Sequence, residues 1–232
     1  MRRIRHILLA ACLLISSVVF GQRTYRSTSV LASGSWYKLA VSGEGIYKID
    51  VPFLQSLGVQ TTNLSSSTIR LFGNGGALLP ESNAVARPDD LTENAIFMVD
   101  GGDGIFNGSD YFLFYASGPH VWDKDSVSQK FRHRQNLYSE QSYFFITIGG
   151  SGSRITSTAS TGTPNVLVDR FLDRFFYEKD SVNLLQSGKE WLGDEMANMP
   201  GKSVSRNFTI RCPNRITTEP IRFFSDAVAR SV

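Results

Sequence analysis

Ser35-Trp36-Tyr37-Lys38-Leu39-Ala40-Val41-Ser42-Gly43-Glu44-Gly45-Ile46-Tyr47-Lys48-Ile49-Asp50 decides the fold class. Tyr37, Leu39 and Val41 fall on one face of an extended chain, and Tyr47 and Ile49 fall on one face of the next run. A period of two is the mark of a half-buried strand. Between the runs, Ser42-Gly43-Glu44-Gly45 supplies glycines that take positive φ without steric penalty, so the stretch predicts a β-hairpin. Asp50 then stands as N-cap of a short helix over 51–57, with Pro52 tolerated in the first turn and Gly58 ending it.

Outward from this stretch the same grammar continues. Residues 68–72, 95–99, 111–115 and 143–148 are dense in β-branched and aromatic side chains and are bounded by Gly, Asn, Asp or Pro. Short strands punctuated by turns predict a mainly β chain, with antiparallel β-sandwich-like domains and one or two short helices. Residues 149–164 are rich in Gly, Ser and Thr. This marks 151–165 as a linker or exposed hairpin between an N-terminal β-rich domain, 22–150, and the start of a second, 166–232. In the second, 169–176 reads as a strand. Val182, Leu185, Lys189 and Leu192 recur at roughly helical steps over 179–196, weakened by Gly188 and Gly193. Strand-like runs at 205–211 and 221–228 follow, and a stop at Val232 directly after a strand is expected of an incomplete domain.

At the other end, a basic head, Arg2-Arg3-Ile4-Arg5-His6, precedes an apolar run from Ile7 to Phe20, too short for a comfortable membrane span. That is the pattern of a secretory signal peptide over 1–21. Leu9-Ala10-Ala11-Cys12 also fits a lipoprotein box, but few apolar residues would then precede the cut while the run continues beyond it. Arg2, Arg3 and Arg5 account for the whole formal charge of +3, so the mature chain is neutral. It therefore lacks the clustered cations that a nucleic-acid surface requires, and no later segment reads as a transmembrane helix. Cys212 is the sole mature cysteine, so no intramolecular disulfide is available and the apolar core must hold the fold.

Candidate chemistry is sparse. The acidic loop Asp100-Gly101-Gly102-Asp103-Gly104-Ile105-Phe106-Asn107-Gly108-Ser109-Asp110 places Asp100, Asp103, Asn107 and Asp110 as oxygen donors suited to a hard cation, Ca²⁺. Gly102 stands where an EF-hand has a ligand, and no Glu closes the loop, so a solvated turn with Asp side chains bonded to backbone amides is the alternative. Cys212 precedes Pro213, and His120 and His133 lie in polar, loop-like sequence, which favours a buried structural thiol over a Cys/His pair. Gly149-Gly150-Ser151-Gly152-Ser153 lacks the last Gly of a nucleophile elbow, zinc finds too few ligands, and Gly73-Asn74-Gly75-Gly76 lacks the Lys of a phosphate loop. Trp36, Trp122 and Trp191 are scattered and read as core, with sugar stacking the alternative.

Four stretches, taken in order, carry a resemblance. They are Gly43-Glu44-Gly45-Ile46-Tyr47-Lys48-Ile49, then Ile69-Arg70-Leu71-Phe72-Gly73-Asn74-Gly75-Gly76, then the loop from Asp100 that ends Tyr115-Ala116-Ser117-Gly118-Pro119, and lastly Tyr177-Glu178-Lys179-Asp180-Ser181-Val182-Asn183-Leu184-Leu185-Gln186-Ser187-Gly188-Lys189-Glu190-Trp191. Following a signal peptide, this order resembles the N-terminal region of the PorU-type sortases of the type IX secretion system, gingipain-like cysteine peptidases of Bacteroidota. The resemblance covers roughly 35–232 and implies an accessory β-rich region with the peptidase domain after it. Catalytic His and Cys are then expected beyond Val232, and no residue of this chain is assigned a catalytic role. It further implies export through the periplasm to the outer membrane and cell surface. The implied partners are outer-membrane components of the secretion system and the C-terminal sorting domains of cargo. A truncated gene product or a true short paralogue would each account for the length. A β-sandwich that binds glycans or a surface protein is the rival reading from another class.

Overall fold

The computed structural model describes residues 24–128, 130–160, 162–164, 166–184, 186, 188 and 191–229. The signal peptide expected over 1–21, with Cys12, lies outside them, as do Leu185 and Lys189 of the expected helix. Among the described residues, no helix is long and apolar enough to cross a membrane.

The chain divides into two units, Met1–Asn165 and Val166–Val232. In chain order, the first holds β1 (Trp36–Val41), β2 (Gly45–Asp50), helix α1 (Val51–Ser56), β3 (Ile69–Phe72), β4 (Glu93–Asn94), β5 (Phe97–Val99), β6 (Tyr111–Ala116), β7 (Val121–Lys124), β8 (Phe131–Arg134) and β9 (Ser142–Ile148). They build three antiparallel sheets, ordered β1-β9-β3-β4, β2-β6-β5 and β7-β8. The unit is mainly β with one short α-helix, the sandwich-like class expected.

Alternation sets the core. Leu39 and Val41 of β1, Ile69 and Leu71 of β3, and Phe144 and Ile146 of β9 point inward from the four-stranded sheet. Ile49 of β2 with Phe112, Phe114 and Ala116 of β6 point inward from the three-stranded one. The layers meet at Phe114 and Phe144, whose ring centroids lie 5.2 Å apart. Each fully buried Phe contributes on the order of 2–3 kcal/mol of apolar transfer. Helix α1 closes one side with Val51 and Leu54. Asp50 caps it by accepting the Phe53 N–H at 3.0 Å, and Gly58 follows its end.

The hairpin expected from Ser42-Gly43-Glu44-Gly45 does not form. β1 pairs with β9, Trp36 opposite Thr147 and Val41 opposite Ser142. β2 pairs with β6, Gly45 opposite Ala116 and Asp50 opposite Tyr111. Each strand instead gives its ladder to a partner far along the chain, and the Tyr47 hydroxyl holds the connection, donating to the Gly43 carbonyl at 2.9 Å and accepting the Gly43 N–H at 3.3 Å. The connection thereby carries the chain from one layer to the other.

The strands expected at 68–72, 95–99, 111–115 and 143–148 are present within a residue or two. The hairpin β7-β8 was not foreseen. Its turn is organised by Asp125, which accepts the Val127 N–H at 2.8 Å and the Ser128 hydroxyl at 2.6 Å.

In the second unit the described residues form no strand or helix. The helical pattern over 179–196 gives way to an antiparallel bridge between Val182 and Leu192, with N–H to carbonyl distances of 2.8 and 2.7 Å. Gln186 at φ 51° and Gly188 at φ 70° reverse the chain between them, a conformation that interrupts any helix. The strands expected at 169–176, 205–211 and 221–228 are absent: these runs join no ladder, and Phe171, Phe223 and Phe224 stand exposed.

Candidate functional site

Three of the four stretches that carry the sequence resemblance meet at one end of the first unit. Gly118, buried after β6, lies against the backbone of Gly43: a Cβ on it would stand 2.7 Å from the Gly43 carbonyl carbon and 2.9 Å from the Glu44 nitrogen. Gly76 lies equally close beneath Ser142, and its carbonyl accepts from the Asn136 amide at 2.9 Å. Close backbone approach is the physical demand that excludes a side chain at both positions. The Tyr115 hydroxyl donates to Glu44 at 2.7 Å, and the Ser142 hydroxyl donates to the Ser117 carbonyl at 3.2 Å. The motif residues thus knit the two layers together.

A cavity of about 340 Å³ opens beside this end, lined by Gly73, Asn74, Asn94, Tyr115, Ser117 and Phe144 among others. Its amide side chains are engaged with backbone. Asn74 donates to the Asp90 carbonyl at 2.9 Å and accepts the Thr92 N–H at 2.9 Å, while Asn94 donates to the Gly73 carbonyl at 2.8 Å. Asp90 in turn accepts the Val30 N–H at 2.6 Å and the Ser29 hydroxyl at 2.9 Å. These bonds, led by that of Val30, hold its carboxyl below the usual range. The network fastens the loop before β4.

The acidic loop lies elsewhere in the unit. Asp100 accepts from the buried Ser66 hydroxyl and from the Gly102 N–H at 3.2 Å. Asp103 accepts the Ile105 N–H at 2.9 Å, and Asp110 accepts the Asn107 N–H at 2.8 Å. The Asn107 side chain donates to the Ile105 carbonyl at 3.5 Å. Each carboxylate is therefore turned onto a backbone amide of its own loop, and among the described residues no group of three or more His, Cys, Asp or Glu side chains converges as a metal site. The Ser66 hydroxyl is the main reason that the Asp100 carboxyl is held low.

Behind the loop, Arg154 donates to the Ser66 carbonyl at 2.6 Å, and burial lowers its pKa, opposed by Glu93 and Asp100. Arg70 and Glu93 form a two-pronged pair at 3.2 and 2.6 Å across β3 and β4. The pair raises the Arg70 pKa and lowers that of Glu93. These residues escaped the sequence reading because their partners lie far along the chain, without a local signal.

The imidazoles are structural in their contacts. His120 Nδ1 accepts the Asn136 N–H at 2.9 Å, which leaves Nε2 to carry the proton toward Glu140 at 3.0 Å. His133 packs edge-on against Trp122, centroids 4.9 Å apart, and burial first, then the neighbouring His120, lowers its pKa. Cys212, expected to be buried, is an exposed free thiol in the second unit. It follows a run, 205–211, that forms no strand and so joins no sheet that would bury it.

No family model matches the chain, and the comparison with curated proteins gives no match. Among solved structures, the crystal structure of dimeric latent PorU from Porphyromonas gingivalis is similar to 66% of this chain at 23% identity and a TM-score of 0.48. The similarity spans 13% of that protein.

Proposed function

We propose that this chain is the N-terminal accessory region of a type IX secretion sortase-like cysteine endopeptidase. It is exported toward the outer membrane and cell surface and assists a peptidase that trims the C-terminal sorting domains of cargo. The observation that carries the reading is the meeting of three motif stretches, around Gly43, Gly76 and Gly118, at one end of the sandwich. The role is scaffolding and docking: the motif stretches serve the packing of the layers, and both imidazoles of the first unit are engaged structurally, His120 with Asn136 and Glu140 and His133 against Trp122. Incubating the purified chain with a cargo protein that carries a sorting domain is expected to give capture without cleavage. Cleavage that disappears in Cys212→Ser overturns the reading, and so does the absence of any capture.

A glycan-binding sandwich is favoured by one feature. Ile46 and Tyr115 face each other across β2 and β6 and are 74% and 57% exposed, giving an apolar, partly aromatic platform. Binding to a glycan array, lost in Tyr115→Ala while the sorting domain is not captured, would select this reading.

A further inference from the structure

β1 is the outermost strand of its sheet and pairs with β9 alone. The direction of its backbone groups follows from the registers. Gly149 N donates to the Thr68 carbonyl at 2.9 Å, just beyond the pair Ile69 and Ile148, so Thr147 and Phe145 of β9 turn their N–H and C=O toward β3. Gly73 N bonds the Thr92 carbonyl at 2.9 Å on the far side of β3, in step with the same alternation. Ile146 and Phe144 then turn theirs toward β1, where they face Tyr37 and Leu39. Trp36, Lys38 and Ala40 consequently direct their N–H and C=O outward. Among the described residues, no segment other than β9 reaches β1 with a backbone hydrogen bond.

Edge strands are ordinarily guarded by proline, a bulge or outward charge. β1 contains no proline, and its register runs one-to-one from Trp36 to Val41 without a bulge. Its single charge, on Lys38, is laid over the neighbouring Tyr143 ring at 3.6 Å instead of standing off the edge. A row of N–H and C=O groups at strand spacing is matched by another extended backbone. A second copy in full overlap would centre on Lys38 and set two lysines directly opposite, which is unfavourable. A strand with an acidic side chain at that place, and apolar side chains opposite Tyr37 and Leu39, turns the same geometry into attraction.

We infer that the outer edge of β1 accepts an extended strand from a partner protein, one that sets a carboxylate opposite Lys38. This goes beyond the accessory role proposed above and does not depend on it. The probes are the labelled peptide Val-Thr-Val-Glu-Val-Thr-Val and its twin with Lys for Glu, titrated against the full chain by fluorescence anisotropy. The Glu peptide is expected to bind about fivefold tighter than its twin. Lys38→Glu, at an exposed position, reverses that order. Ala40→Pro, which removes one outward N–H, weakens both peptides about tenfold. Circular dichroism verifies that each variant stays folded. Absence of binding to the wild-type chain, or an order of affinities unchanged by Lys38→Glu, overturns the inference. A concentration-dependent dimer dissolved by Ala40→Pro also overturns it, by giving the edge to a second copy.

Discussion

Gly118 and Gly43 touch, yet they differ in what they tolerate. A Cβ on Gly118 meets the Gly43 backbone at 2.7 and 2.8 Å, whereas a Cβ on Gly43 meets nothing within 4 Å. Backbone cannot rotate aside as a side chain does, so Gly118→Ala is expected to cost about 1–3 kcal/mol, while Gly43→Ala stays near neutral. Urea unfolding of the two variants checks the contrast, and equal midpoints would show that the layers are not locked there. Ser66 and Asp100 give a second residue-scale test. The hydroxyl holds the carboxyl below its ordinary value in the folded chain. Such a group stabilises fully above its unfolded pKa of about 4 and loses that contribution as pH falls through the lower folded value. Ser66→Ala should therefore be less stable than wild type at pH 7, with the gap narrowing below about pH 4. A gap that stays constant down to about pH 2.5 would remove Asp100 from the account.

At the scale of elements, local chemistry was legible and pairing was not. Asp50, Pro52 and Gly58 specify α1 because a cap, a fixed φ and a reversal act within a few residues. The β7-β8 hairpin went unseen because Asp125 sits in a polar run where the strand residues Trp122 and His133 are separated by charged neighbours. The acidic loop was legible as a loop but ambiguous in purpose, since Asp serves a cation or an amide equally well. Its carboxylates are already engaged by Gly102, Ile105 and Asn107 N–H groups. Calcium at about 1 mM, ample for even weak extracellular sites, is accordingly expected to leave the melting midpoint of the chain unchanged. A rise that vanishes in Asp103→Asn and Asp110→Asn would restore the cation.

For the molecule as a whole, the contact of Phe114 with Phe144 is where one layer rests on the other. Phe144→Ala leaves a hole in a fully buried place and should lower stability by about 3–5 kcal/mol. Because both layers share this core, tryptophan fluorescence in a Trp191→Phe background, which leaves Trp36 and Trp122 of the first unit as reporters, and far-UV circular dichroism should show one common loss of structure. Separate transitions for the two sheets would contradict a single core.

What sequence alone determined was settled within single strands and one cap of the first unit: which faces of β1, β3, β6 and β9 are apolar, and where α1 begins and ends. Tyr37, Leu39 and Val41 declare an inward face by alternation, whatever they later pair with. Only the tertiary structure decided that β1 takes β9 and β2 takes β6, since backbone N–H and C=O groups are alike in every strand and carry no address. The choice fell to side chains distant in sequence, above all Phe114 and Phe144 where the layers meet, whose contact no local pattern encodes.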